Sequence, residues 1–270
     1  MSSSNTKHAR DRKNSDTWVI LDLDDTLVDT SDVYYMARET FLEQMVSLRF
    51  PRIQVLETFE RIETKNINQL GIFPERYSQS MIEAYHLLCA KRKIQPPKKM
   101  EELIRKTGRI VIQTVPKPLP GAFPLLRWLN SHYFVVLVSR GDNYYQRKKV
   151  KATRLDPYFD RLFIVQEKSS STLKKIARSL GRDIGSSWVI GDSIKSDVNP
   201  GIKAGARCIL YEYRHKRYYW RQEYGEEPEG EYFLAKKLTD ITEIIRSPDR
   251  WPKRSSRLFR RMKNPQANSR

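Results

Sequence analysis

Residues 17–30 read TWVILDLDDTLVDT. Trp18, Val19, Ile20 and Leu21 form a short apolar run that stops abruptly at acids. A buried parallel strand has this form: apolar on both faces, and opening at its carboxyl end onto a polar site. Two later segments repeat the pattern. YFVVLVS (133–139) ends at Ser139, followed by Arg140 and Gly141. SSWVIGDS (186–193) ends at Gly191 and Asp192, with Asp197 five residues beyond that acid. In an open parallel sheet, ligands bind outside the carboxyl ends of the strands, where the strand order reverses. With the first strand central and the other two flanking it, all three polar ends face one crevice.

Outward from these strands the chain alternates. AFPLLRWLNSH (122–132) reads as a helix and 143–155 as another, followed by a short strand RLFIV (161–165). SSSTLKKIARSLG (169–181) is a helix with a serine cap and a terminal glycine. VNPGIKAGA is a short helix, RCILYEY a strand and LTDITEIIRS a final helix. Strands alternating with helices predict an α/β fold with a doubly wound parallel sheet. Residues 31–113 differ in texture. SDVYYMARETFLEQMVSL has apolar residues three and four apart, with Ser31 as the expected N-cap. Three further helical stretches follow, punctuated by Gly71 and Pro74 and by Pro96 and Pro97. The expected organisation is a polar, mobile tail over 1–16, a core over 17–30 and 114–246, a helical insert over 31–113, and a basic tail over 247–270.

Composition narrows the classes. With 39% hydrophobic and 30% charged residues among 270, the chain is polar yet able to build a core. No run approaches the ~18 apolar residues of a membrane span, and MSSSNTKHARDRKNSD has no apolar signal core. Two cysteines, Cys89 and Cys208, make neither a disulfide framework nor a four-ligand zinc site. A cytoplasmic setting is expected. The net charge of +18 is concentrated: residues 91–117 and residues 247–270 each carry a net +7. Such patches suit nucleic acid as a possible partner, or solvated surface. YEYRHKRYYWRQEY (211–224) interleaves aromatic and basic residues, as stacking surfaces for single strands do, although packing on the sheet edge accounts for it more simply. Oligomeric state is open.

The acids carry the chemistry. Asp22 and Asp24 leave the first strand together, and Asp192 brings a third carboxylate. Clustered carboxylates repel unless a cation neutralises them. Oxygen ligands without His or Cys favour Mg²⁺. Ser139 offers a hydroxyl, and Gly141 lets backbone N–H groups approach an anion. A lysine is needed to balance phosphate: Lys168 is best placed, with Lys174 and Lys175 as alternatives.

These motifs, in this order and each on its strand, resemble the haloacid dehalogenase superfamily of hydrolases over residues 17–246. DLDDTL is similar to its first motif, VVLVS to its second, Lys168 to its third and GDSIKSD to its fourth. The resemblance implies a phosphatase with Asp22 as nucleophile and Asp24 as acid and then base. Thr26 would hold the turn, and Thr26, Ser139, Arg140 and Lys168 would serve the phosphate. Mg²⁺ would be held by Asp22, the Asp24 carbonyl and Asp192, with Asp197 as a further ligand or an orienting group. Dehalogenase members lack an acid at the position of Asp24. The 112 residues between Thr26 and Ser139, against only 28 between Ser139 and Lys168, place the large insert after the first motif, where it corresponds to the family's helical cap. A closing cap favours a small phosphorylated metabolite as substrate. Tyr34, Tyr35 and Arg38, on the first cap helix, and the loop GIFPERY are candidates to meet it, although packing explains them as well. The alternatives are a nucleic-acid-binding or assembly protein on this scaffold, or a phosphatase acting on nucleotides or nucleic-acid ends.

Overall fold

The computed structural model describes residues 16–73, 75–213, 218 and 226–255. Six parallel strands form one sheet. They are β1 (Trp18–Leu21), β2 (Phe134–Arg140), β3 (Arg161–Val165), β4 (Ser187–Gly191), β5 (Arg207–Tyr211) and β6 (Phe233–Ala235), in the order β3-β2-β1-β4-β5-β6. The central strand is β1: Leu21 lies beside Leu137 of β2 and Ile190 of β4. The order reverses at β1, so the three polar strand ends meet at one switch point.

Side chains alternate between the two sheet faces, and both faces are buried. Val19, Leu21, Val135, Leu137, Trp188 and Ile190 share one core cluster with two helices. These are α6 (Ala122–His132), through Leu125 and Leu129, and α10 (Leu238–Arg246), through Ile241 and Ile244. Trp18, Ile20, Val136, Val138 and Val189 face the other way, against Leu173, Ile176 and Ala177 of α8 (Ser170–Ser179). Here α7 (Asn143–Ala152) connects β2 to β3, and α9 (Asn199–Ala204) precedes β5. The α/β doubly wound fold expected from the alternation is therefore the observed one. The strand β6 was not anticipated; three residues are too few to show a period.

Between β1 and β2 lie α1 (Thr30–Ser47), α2 (Arg52–Leu70), α3 (Glu75–Lys91), α4 (Lys98–Gly108) and the short α5 (Ile110–Gln113). They enclose a separate apolar cluster built on Phe41, Met45, Phe59, Tyr77, Tyr85 and Leu88. The cap of α1 corrects one expectation. Asp29, not Ser31, is its N-cap, accepting the Asp32 N–H at 3.1 Å. Ser31 is the second residue of the helix, and its N–H reaches Asp25 Oδ1 at 2.7 Å. The chain enters and leaves this helical segment side by side: Leu119 N–H donates to Leu27 O at 2.8 Å, and Asp29 N–H to Lys117 O at 2.8 Å.

Tyr218, from the β5–β6 connection, is buried in the helical cluster beside Tyr34 and Tyr77. The rest of the aromatic and basic stretch after Tyr213 lies outside the described residues, as do residues 1–15 and RLFRRMK within 256–270. Residues 247–255 return to the core, where Trp251 packs and Arg254 pairs with Tyr232. Cys89 and Cys208 are buried and unpaired, one in each of two clusters. No helix among the described residues is long and apolar enough to cross a membrane.

Candidate active site

The turn after β1 is tight. Asp22 N–H continues the sheet to Ile190 O at 2.9 Å, and then Leu27 N–H closes back on Leu23 O at 2.9 Å. Asp25 takes a left-handed backbone, φ 61°, which Asp tolerates better than most residues. The turn sends Asp22 and Asp24 into a cavity of about 180 Å³ at the switch point. The sheet supplies its floor. Val33 and Tyr34 of α1, Ile72, and Val111 and Ile112 of α5 form its roof.

Three carboxylates converge on the floor. Oxygens of Asp22, Asp192 and Asp197 lie within 4.8 Å of one another and could hold a metal ion. Asp22 and Asp197 are 7% and 3% exposed, which leaves little water to screen their repulsion. Burial, reinforced by the neighbouring acids, pushes the Asp22 carboxyl well above the usual carboxylate range. Burial also raises Asp197, with Asp192 adding to it against the opposing Lys168 ammonium. An all-oxygen set with such an excess of negative charge fits a hard divalent cation.

Lys168 stands between two of these acids. Its ammonium donates to Asp22 Oδ1 and, at 2.7 Å, to Asp197 Oδ1. Burial alone would depress Lys168, but the two carboxylates outweigh it and hold the group above its ordinary value. The alternatives Lys174 and Lys175 are exposed on α8. Gly191 makes the approach of Asp197 possible: a Cβ there would lie 2.2 Å from the Asp197 carboxylate carbon.

Thr26 is fully buried behind Asp22 and donates to its Oδ2 at 3.0 Å. It supports that carboxylate and does not line the cavity. Ser139 is likewise fully buried and does not line it; Gln146 stands between Ser139 and the cavity wall. Arg140 and Asp192 do line it, as does Tyr34. Arg38 instead lies over the rings of Tyr35 and Tyr218. The GIFPERY loop contributes more than a helix connection: Ile72 lines the cavity, and Glu75 accepts a hydrogen bond from Tyr145. His86 is on the surface, bonded to Glu101 at 2.8 Å.

Sequence reasoning missed α7 as part of the site. Asp142 caps it, accepting the Tyr145 N–H at 3.0 Å. Gln146 and Lys149, three residues apart, then share one face. Lys149 Nζ reaches Asp24 Oδ1 at 2.5 Å, and Gln146 Nε2 reaches Asp24 Oδ2 at 2.6 Å. Thr30 also donates to Oδ1. Burial raises the Asp24 carboxyl, but these donors, Lys149 foremost, bring it below the usual range. The only sequence signal was a pair of polar residues on one helical face beyond Ser139.

A family model described as haloacid dehalogenase-like hydrolase matches residues 19–211, more than half of the chain. The chain belongs to the haloacid dehalogenase-like hydrolases. Among curated relatives, the glyceraldehyde 3-phosphate phosphatase of Pyrococcus abyssi is 23% identical over 208 residues, covering 72% of this chain and 81% of that one. A haloacid dehalogenase-like hydrolase from Xanthomonas campestris superposes with a TM-score of 0.71 at 22% identity, over 86% of this chain and 91% of the other. The putative hydrolase YfnB from Bacillus subtilis, solved with magnesium, gives 0.58 at 18%, over 85% and 97%. A 2-haloacid dehalogenase from Pseudomonas syringae gives 0.53 at 16%, over 85% and 98%. These structural likenesses establish the fold that the hydrolases share.

Proposed function

We propose that this hydrolase is a magnesium-dependent phosphatase of a small phosphate monoester, with α1–α5 as its cap. The observation that carries this reading is Asp24, a second carboxylate facing the cavity beside the nucleophile position. An alkoxide leaving from phosphorus needs a proton; a halide leaving from carbon does not. An acid at this point is therefore of use to ester hydrolysis and idle in dehalogenation.

Asp22 attacks phosphorus as the bond to the ester oxygen breaks, and Asp24, which must take up a proton when the anionic ester binds, gives it to that oxygen. The product is an aspartyl-phosphate on Asp22. Asp24 then takes a proton from water, whose oxygen attacks the same phosphorus. Phosphate leaves, and the Asp22 carboxylate is restored. Lys168 and Arg140 hold the phosphoryl oxygens, while Ser139 fixes this side of the site through Gln146. Asp22, Asp192, Asp197 and the Asp24 carbonyl would hold Mg²⁺, which supplies charge neutralisation between carboxylate and ester. Thr26 keeps Asp22 aimed.

The cavity of about 180 Å³ favours a short phosphorylated metabolite over a polymer end. The P. abyssi relative, a phosphatase by name, supports the same class. Among the described residues, the cations lining the site are Arg140, Lys148, Lys149 and Lys168, and the basic residues of 91–117 line no part of it. Nothing observed favours nucleic acid. A small soluble substrate also suits a cytoplasmic enzyme.

The test is phosphate release from a panel of phosphorylated metabolites and 4-nitrophenyl phosphate, with Mg²⁺ and with chelator, alongside halide release from a 2-haloacid. Mg²⁺-dependent phosphate release that Asp22→Asn abolishes is expected. Halide release without phosphate release would overturn the proposal.

A further inference from the structure

The proton-transfer carboxylate is held by a helix that no motif announces. Asp24 projects from the first turn, and α7 reaches it across the switch point with two donors. Lys149 takes one oxygen and Gln146 the other. The Gln146 amide is oriented by its surroundings. The Arg140 carbonyl, at 3.1 Å, can only accept, and Asp24 Oδ2, at 2.6 Å, accepts while ionised, so the NH₂ end faces them. The same nitrogen lies 2.7 Å from Ser139 Oγ. Gln146 thus ties the acid of the first motif to the serine of the second. The side chain is 5% exposed, and so has little freedom to turn elsewhere. Gly141, with φ 141°, lets the chain fold back before α7 so that this contact forms, and a Cβ there would lie 3.4 Å from the Gln146 stem.

We propose that Gln146 and Lys149 are positioning residues for Asp24, setting the direction in which its carboxylate meets the leaving oxygen. The proposal rests on the acid and base role of Asp24 given above. A carboxylate at the end of one χ1 and one χ2 rotation can swing through several ångströms. Proton transfer to an ester oxygen requires hydrogen-bond reach, about 2.6–3.2 Å between heavy atoms. Donors on both oxygens remove that swing. Lys149 lines the cavity and Gln146 seals it from Ser139, so the two form a fork of one charged and one neutral arm.

The experiment uses the leaving group as its readout. A misplaced acid harms esters of poor leaving groups far more than those of good ones. A merely structural defect, or weakened phosphate binding, harms both alike. The parameter is kcat/KM, which covers steps up to the aspartyl-phosphate, for phenyl phosphate and 4-nitrophenyl phosphate, two probes of similar shape. Wild type, Asp24→Asn, Gln146→Leu and Lys149→Met are compared with Mg²⁺ present.

In Asp24→Asn the preference for 4-nitrophenyl phosphate should rise by about 10²-fold or more, the size of a lost general acid. In Gln146→Leu and Lys149→Met it should rise about tenfold, with Lys149→Arg returning toward wild type. Lys149→Met, on a partly exposed side chain, keeps the test open if Gln146→Leu does not fold. An equal loss on both esters would place these residues on the phosphoryl group and overturn the assignment. So would an unchanged preference alongside a raised one in Asp24→Asn, which leaves the acid role standing. An unchanged preference in Asp24→Asn itself would overturn that role and the inference with it.

Discussion

At Gly191 the backbone lies directly under a carboxylate. Alanine there would push Asp197 away from Lys168 and from its acid neighbours, because its Cβ has no room beside the Asp197 side chain. Gly191→Ala should lower activity by about 10–100-fold, the usual effect of disturbing the residues around a metal site, and raise the Mg²⁺ concentration needed for half-maximal rate. Titration of phosphate release with Mg²⁺ measures this. Asp22 carries a different expectation, because its carboxyl is held well above the usual range by burial and neighbouring acids. An acid whose folded pKa is raised binds its proton more tightly folded than unfolded. Its ionised form therefore lowers stability at neutral pH, and that penalty fades as pH falls through the folded pKa. Asparagine removes the charge altogether, and Lys168 keeps Asp197 as partner. Asp22→Asn should accordingly abolish phosphate release, by more than about 10³-fold, yet melt higher than wild type in chelator. Each ~1 kcal/mol gained appears as about 2–4 °C in a chain of this size. A lower melting point would show instead that the ion pair with Lys168 outweighs the crowding.

One carboxylate holds the first helix of the insert at the site, and it can be tested alone. Asp29 caps α1 and also accepts from the Tyr213 hydroxyl at 2.7 Å, so one carboxylate joins the first helix of the insert to the chain just after β5. Asp29→Ala should cost about 1 kcal/mol or somewhat more, and Asp29→Asn less. Urea unfolding would show this as a lower midpoint at constant slope. The legibility of the elements follows from what each needs from its own residues. The strands β1, β2 and β4 are buried on both faces, so their apolar runs announce them. The acids beyond them stand out because charge rarely follows such runs without a purpose. Lys168 was legible for the same reason, just beyond the short apolar β3. The cap of α1 was not: Asp29 and Ser31 are both suitable residues two positions apart, and the choice depends on where the incoming chain bends. Nor was the role of α7. Gln146 and Lys149 are ordinary polar residues until the fold brings Asp24, more than a hundred positions away, across from them.

Taken whole, the molecule is two apolar bodies with a charged seam between them. Added Mg²⁺ should tighten the seam. An ion that binds only the folded chain stabilises it by about 2.7 kcal/mol at a hundredfold excess over Kd. The melting temperature should therefore climb with Mg²⁺, and Asp192→Asn should flatten the climb. Tyr218 belongs to the strand connection of one body yet is buried in the other, packed with Tyr34 and Tyr77. Truncation to alanine should cost about 3–5 kcal/mol if it resembles other buried aromatics, measurable as loss of hydrogen-exchange protection in α1 and α3. The paired entry and exit of the helical segment have a further consequence. Leu27 and Leu119 are already joined by a backbone hydrogen bond, and Asp29 by another to Lys117. The two ends of the insertion are thus neighbours before anything is inserted. A lineage, or an engineer, can exchange everything between them for a longer, shorter or unrelated segment. The splice falls on a two-rung ladder, so no strand of the sheet has to change its register to receive the graft.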